Sequence, residues 1–206
     1  MRVYVYDISS LRMEDMHKYY DILPKWRRDK IDKCSKDEDK LRSLGAGLVL
    51  AYALNEQGIK LDDCKISFSK NDKPYIQGID DIHFNISHSG DRVVVGVSKQ
   101  PLGIDIQQVR PVNLRLADRH FTGKEDEYIN NEVEKFHEIW CLKESYLKCI
   151  GIGLTIPLKD IEIIPNHKMS IGDYELHLRS IDGYKLGICT SKYTNIEIYY
   201  LDNIKI

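Results

Sequence analysis

Hydrophobic and polar positions alternate from Arg2 to Ile8, with Val3, Val5 and Asp7 on one side and Tyr4, Tyr6 and Ile8 on the other, which predicts an opening β-strand. Helical periodicity follows over Leu11–Leu23 and Pro24–Cys34. A longer helix is expected over Lys36–Gln57: Asp37, Glu38 and Asp39 open it, where acids suit the positive end of the helix dipole, and Gly58 closes it. Short strands are then expected at Lys65–Ser69, Pro74–Gln77, Ile82–Ser87 and Arg92–Ser98, punctuated by Asn71-Asp72-Lys73-Pro74, Gly78 and Ser89-Gly90-Asp91. After Pro101 the order repeats. A strand starts at Gly103, helices cover Asn113–Arg119, Lys124–Asn130 and Glu132–Ile150, and strands return at Asp160–Ile164, Tyr174–Ile181, Tyr184–Ser191 and Ile196–Asp202. Arg92–Lys99 also echoes Tyr184–Lys192 in text. The pattern predicts two similar α+β halves joined near residues 99–102.

Composition narrows the class. With 42% hydrophobic residues over 206 positions, the chain has enough apolar content for a buried core. Thirty basic residues against thirty-two acidic ones give a net charge of −2, so nucleic acid is not an expected partner. No apolar run approaches the roughly 20 residues of a membrane span, and the N-terminus lacks the apolar core of a signal peptide. Five cysteines, at 34, 64, 141, 149 and 189, form no C-x-x-C and no even framework, so a reducing, cytoplasmic setting is expected. Phosphate-binding G-x-x-x-x-G-K-[ST], G-x-G-x-x-G, H-E-x-x-H and G-x-S-x-G are all absent from the sequence.

Three segments put polar groups where the pattern calls for core. In Phe84-Asn-Ile-Ser-His-Ser-Gly-Asp91, Asn85, Ser87 and Ser89 share one strand face and His88 takes the other. Hydroxyls, imidazole and free N–H groups in such a turn suit a phosphate, although they can equally serve neighbouring backbone. In Gly103-Ile-Asp-Ile-Gln107, Gly103, Asp105 and Gln107 face one way, and an acid inside a strand wants a cation, a cap or water. In the third, Ile139, Trp140, Lys143, Tyr146, Leu147 and Ile150 form one helical stripe, with Glu144 at its edge and Lys148 one turn on. A surface ion pair accounts for Glu144 and Lys148 as well as a phosphate site does. Asp105 with Glu144 would make a carboxylate pair of the kind that holds Mg²⁺ while leaving positions for substrate phosphates. A softer basic stretch runs from Lys25 to Arg42, interspersed with acids.

Taken in order, Lys73-Pro74, Phe84-Asn-Ile-Ser-His-Ser, Gly103-Ile-Asp-Ile, Phe121-x-x-x-Glu125, Trp140-x-x-Lys-Glu-Ser-x-x-Lys148 and Gly151-x-Gly-Leu154 resemble the Sfp-type 4′-phosphopantetheinyl transferases, from about Arg27 to Leu158. The resemblance implies an α+β pseudo-dimer of halves 1–100 and 101–206, with the site in the cleft between them. It implies transfer of the 4′-phosphopantetheine arm of coenzyme A to a serine of an apo acyl, peptidyl or aryl carrier protein, with Mg²⁺ and release of adenosine 3′,5′-bisphosphate. Asp105 and Glu144 match the family's metal ligands, and Lys148 its pyrophosphate lysine. Lys73, Ser87, His88 and Arg42 match contacts to the adenosine and its 3′-phosphate, and Arg27 and Lys30 are similar to two further basic contacts. Glu125 matches a position near the metal and the incoming serine, and Trp140 a tryptophan beside the site. Gln107 stands where many bacterial members carry a third acid, so it or a water would complete the metal shell. On this reading Glu144 accepts the serine proton, with Glu125 second, and Lys148, helped by Lys143, neutralises the pyrophosphate. Internal duplication makes a monomer sufficient. Two rivals remain at this point: a non-catalytic coenzyme A or adenine-nucleotide binding module, and a metal-dependent phosphohydrolase in which water replaces the serine.

Overall fold

The computed structural model describes residues 1–206 except 193, 203, 205 and 206, and also omits the side chain of Leu154. Strand β1 (Arg2–Asp7) is followed by helices α1 (Met13–Tyr19), α2 (Lys25–Asp32) and α3 (Asp37–Asn55), then by β2 (Ile66–Phe68), β3 (Pro74–Ile76), β4 (His83–Ser89) and β5 (Arg92–Ser98). The second run is β6 (Leu102–Gln108), α4 (Ala117–His120), α5 (Gly123–Ile129), α6 (Val133–Ile150), β7 (Ser170–Ile171), β8 (Tyr174–Ile181), β9 (Tyr184–Ser191) and β10 (Glu197–Leu201). One sheet has the order β10-β1-β5-β4, another β6-β9-β8-β7, and β2–β3 form a separate hairpin.

The architecture is α+β, as expected, and the two runs share a topology. In each, the opening strand pairs antiparallel with the second strand of a later hairpin, β1 with β5 and β6 with β9. The textual echo between Arg92–Lys99 and Tyr184–Lys192 therefore joins equivalent strands. Period-2 burial then builds four layers. Tyr4, Tyr6, Val93, Val95 and Val97 face α3, where they meet Ala46, Leu50 and Leu54. Val3, Val5 and Val94 face the other sheet and pack on Ile104, Ile106, Leu186 and Ile188. On the far side of that sheet, Cys189 packs against Cys141, Leu142 and Leu147 of α6.

One expected strand is absent, and two expected elements take a particular form. Asp160–Ile164 is not a strand; Ile161 and Ile163 are buried, but the Ile163 N–H donates to the Glu125 carboxylate at 2.7 Å rather than to a neighbouring strand. Asn113–Arg119 resolves into a 3₁₀ turn at Leu114–Leu116 and the short α4. The last strand, β10, lies within the expected Ile196–Asp202 and pairs parallel with β1, from Arg2 opposite Glu197 to Tyr6 opposite Leu201.

A buried ion pair braces the back of α6. Lys143 and Glu125 are both 0% exposed, and Lys143 Nζ donates to Glu125 Oε2 at 2.6 Å and to the Leu158 carbonyl at 2.9 Å. Glu125 also accepts the Thr122 N–H at 2.8 Å in a capping box that starts α5. Burial pushes the Lys143 ammonium down, opposed by Glu125. With three hydrogen bonds on the Glu125 carboxylate, three on the Lys143 ammonium and neither side chain exposed, neither group meets the surface where a hydroxyl or a phosphate would arrive. The expected second-base part for Glu125 and the pyrophosphate part for Lys143 are replaced by a structural one. Lys143→Met, which strands a buried carboxylate, is expected to cost about 3–5 kcal/mol in urea denaturation, and adding Glu125→Gln to recover much of it. A single-variant cost under about 1 kcal/mol would remove the pair from the core.

Candidate active site

Alternation along β6 points Gly103 and Asp105 at α6, and Gly103 decides how near the helix comes. A Cβ there would overlap the Ser145 carbonyl oxygen and the Cys149 backbone nitrogen. This close approach brings Lys148 onto Asp105, Nζ to Oδ1, at 2.6 Å. Asp105 is 3% exposed. Its Oδ1 also accepts the Ser87 hydroxyl at 2.8 Å, and its Oδ2 accepts Gln107 Nε2 at 2.6 Å. Glu144, one turn before Lys148, is half-buried and makes no ion pair or hydrogen bond among the described residues. Burial, then the Asp105 carboxylate, raise its carboxyl above the usual range, with Lys148 opposing.

The residues fit a small hard cation in part. Two carboxylates that repel one another are what a divalent ion relieves, and no cluster of three or more His, Cys, Asp or Glu side chains suited to a metal occurs among the described residues. A two-carboxylate set suits Mg²⁺, which keeps water and substrate oxygens for its remaining positions. Gln107 turns its amide nitrogen to Asp105; an amide oxygen in that place would face a carboxylate oxygen. In that position it holds the Asp105 carboxylate in place.

Beside this pair lie further basic groups, two of which, Arg27 and Lys30, have no ion pair among the described residues. Arg27 is 1% exposed, and its guanidinium donates to the Ser43 carbonyl and, at 3.1 Å, to the Ser43 hydroxyl, while its Nε has no partner. Burial pushes Arg27 down to about 10. Lys30 is lowered by desolvation and then by Arg27. Desolvation, and then the field of Lys30, Arg27, Arg42 and Lys148, push the His88 imidazole down. Arg42 spans from Asp39, at 2.7 Å, to the Gly90 carbonyl, at 3.3 Å. Two recesses open here. One of about 690 Å³ is lined by Arg12, Arg42, His88, Gln107 and Arg110, and one of about 450 Å³ by Trp26, Arg27, Lys30, Phe68 and Pro74.

Two sequence expectations change character. Ser87, expected at the nucleotide, is 6% exposed and works between Asp105 and the backbone of β6. Lys73 spends its ammonium on the Cys149 carbonyl at 2.8 Å and the Leu102 carbonyl at 3.2 Å, while Asn71 donates to the Gly151 carbonyl at 3.1 Å. Together they cap the negative end of α6 from the β2–β3 turn. Trp140 stacks on Phe136 with centroids 5.7 Å apart and contacts Phe121 and His120 edge-on, so it anchors α6 to the end of α4. Sequence reasoning passed over Asn71; its only signal was a turn-forming Asn-Asp pair.

Comparison with known proteins agrees with this geometry. Residues 101–189 match the model of the 4′-phosphopantetheinyl transferase superfamily, and residues 12–100 that of the 4′-phosphopantetheinyl transferase N-terminal region. The chain is 31% identical to the 4′-phosphopantetheinyl transferase Sfp of Bacillus subtilis (strain 168), over 93% of this chain and 92% of that one. It is 36% identical to 4′-phosphopantetheinyl transferase gsp of Aneurinibacillus migulanus, over 78% and 74% of the two chains. With a third relative, a 4′-phosphopantetheinyl transferase of Bacillus subtilis, the identity is 33% over 80% of each. Two family models that together span residues 12–189, with relatives at 31–36% identity over 78–93% of this chain, place it in one family: it belongs to the 4′-phosphopantetheinyl transferases.

Proposed function

We propose that this chain moves the 4′-phosphopantetheine arm of coenzyme A onto a serine of an apo carrier protein, with Mg²⁺ held by Asp105 and Glu144. The observation that carries the reading is the meeting of Asp105, Glu144 and Lys148 beside Arg42, His88 and two cations, Arg27 and Lys30, that have no ion pair among the described residues. The site sits where residues 1–100 meet residues 101–206. Arg42, His88 and Lys30 face the bisphosphate end of the nucleotide, and Lys148 holds the pyrophosphate in line. Glu144 takes the serine proton as the serine oxygen bonds to the β-phosphorus and the bridging P–O bond breaks. Adenosine 3′,5′-bisphosphate leaves with that oxygen. When bound, Mg²⁺ supplies Lewis-acid neutralisation of the pyrophosphate charge. Most of the catalysis is then positioning and charge compensation. One chain carries both sides of the site, which supports a monomer, and five free thiols suit a reducing, cytoplasmic setting.

The test is intact-protein mass spectrometry of apo acyl and peptidyl carrier proteins incubated with the chain, coenzyme A and Mg²⁺. A gain equal to one phosphopantetheine arm is expected, and its loss on adding EDTA or with Asp105→Ala. Binding of coenzyme A without any product across both carrier classes would favour a binding module. Product formed without a carrier would favour a hydrolase.

A further inference from the structure

β4 and β6 are each the last strand of a sheet, and they run side by side without pairing through their backbones. An antiparallel ladder uses every second N–H of a strand, so the pairing of β6 with β9 leaves alternate β6 donors facing β4. Those donors are inside the molecule, where an unpaired N–H is costly. Side chains of β4 meet them. The Ile104 N–H donates to Asn85 Oδ1 at 2.9 Å, the Ile106 N–H to Ser87 Oγ at 3.2 Å, and the Gln108 N–H to Ser89 Oγ at 3.0 Å. Three rungs, two residues apart on both strands, thus take the place of a backbone ladder.

The middle rung belongs to the site. While accepting from Ile106, the Ser87 hydroxyl donates to Asp105 Oδ1 at 2.8 Å and receives Lys148 Nζ at 3.2 Å. Asn85 and Ser89 touch neither Asp105 nor Lys148, yet they fix where Ser87 stands along β6. His88 lies between two of the rungs on β4, so the same register sets the anion-facing imidazole against the Asp105–Lys148 pair.

We propose that Asn85 and Ser89 are positioning residues, whose hydrogen bonds to the β6 backbone lock the register of β4 so that nucleotide-facing and phosphate-facing groups meet correctly across the seam. This deepens the transferase reading and rests on it. Arg42, His88 and Lys30 all lie on the β4 side, so a loosened seam leaves coenzyme A held there while its pyrophosphate loses alignment with Asp105 and Lys148. The consequence is a split: kcat falls and KM for coenzyme A does not rise.

The experiment compares wild type, Asn85→Ala/Ser89→Ala and the conservative Ser89→Thr in the full chain. Amide hydrogen exchange is read first, because it needs no activity. In the double variant the Ile106 N–H, whose own partner Ser87 is untouched, should exchange at least about 10-fold faster, with the amides of β1 unchanged as the control for global stability. Transfer should show kcat lowered about 10- to 100-fold with KM for coenzyme A within about 2-fold, and Ser89→Thr should remain near wild type. An Ile106 amide that stays protected, or a kcat that does not change, overturns the proposal. Faster exchange throughout the chain also overturns it, by making the rungs general stabilisers. A wild type that protects Ile106 but modifies no carrier overturns the transferase reading instead; the exchange result then still decides whether the rungs set the register.

Discussion

Glu144→Gln is expected to remove transfer, by about 10³-fold or more in single turnover, while coenzyme A binding measured without metal stays within about 2-fold of wild type. The amide keeps the shape of the carboxylate but accepts no proton and is a poor partner for a divalent cation. Both tasks proposed for Glu144 therefore fail together. The fold should not notice. Glu144 has no ion pair or hydrogen bond to lose among the described residues, and it carries a charge that burial and Asp105 already disfavour. The melting temperature of Glu144→Gln should match or exceed that of wild type. Mass spectrometry of the carrier, calorimetry with coenzyme A and a thermal melt are sufficient together. Retained turnover would take Glu144 out of both roles and leave Asp105 as the only carboxylate at the metal. A variant that loses activity and melts lower would instead give Glu144 a structural part that the contacts do not reveal.

Much of this was legible along the chain because the relevant signals are local. Alternation in Arg2–Ile8 marks a strand buried on both faces, and Asp37–Asp39 with Gly58 bracket α3 to within two residues. The run of Asn85, Ser87 and Ser89 on one strand face announced polar work in a core position, and both readings offered for it, phosphate and neighbouring backbone, concern the seam. Even Lys143 gave a warning by falling on the apolar stripe of α6; a lysine there is either exposed or paired inside, and it is paired. The misses are non-local. Nothing near residues 197–201 says that their partner is β1 rather than β9. Ile161 and Ile163 alternate because they are buried, and periodicity cannot tell burial from pairing when a side chain, Glu125, takes the backbone donor. Lys73 looked free for a phosphate because a sequence does not show that a helix end 76 residues later needs its ammonium. Gln107 carries one charge fewer than the acid common at that position, and only the geometry shows its amide nitrogen turned toward Asp105.

Gly103→Ala should be the most damaging single-methyl change in the chain. The reason is space, since the added carbon would lie on the Ser145 carbonyl oxygen and against the backbone of Cys149. These are atoms of a helix backbone and cannot rotate aside as a flexible side chain would. Relief requires α6 to lift from β6, and α6 carries Glu144 and Lys148 while β6 carries Asp105. Overpacking of this kind costs about 3 kcal/mol or more, which for a chain of this size lowers the melting temperature by roughly 10 °C. The loss of activity should exceed what unfolding explains, because a shift near 1 Å at the reacting groups costs about 10²-fold. Gly123→Ala is the matched control: it adds the same methyl at the start of α5, where nothing lies within 4 Å, and should leave both melting temperature and turnover unchanged. A Gly103→Ala protein that melts and turns over like wild type would mean that β6 and α6 are further apart in solution, and would undo the 2.6 Å Lys148–Asp105 contact on which the proposed site depends.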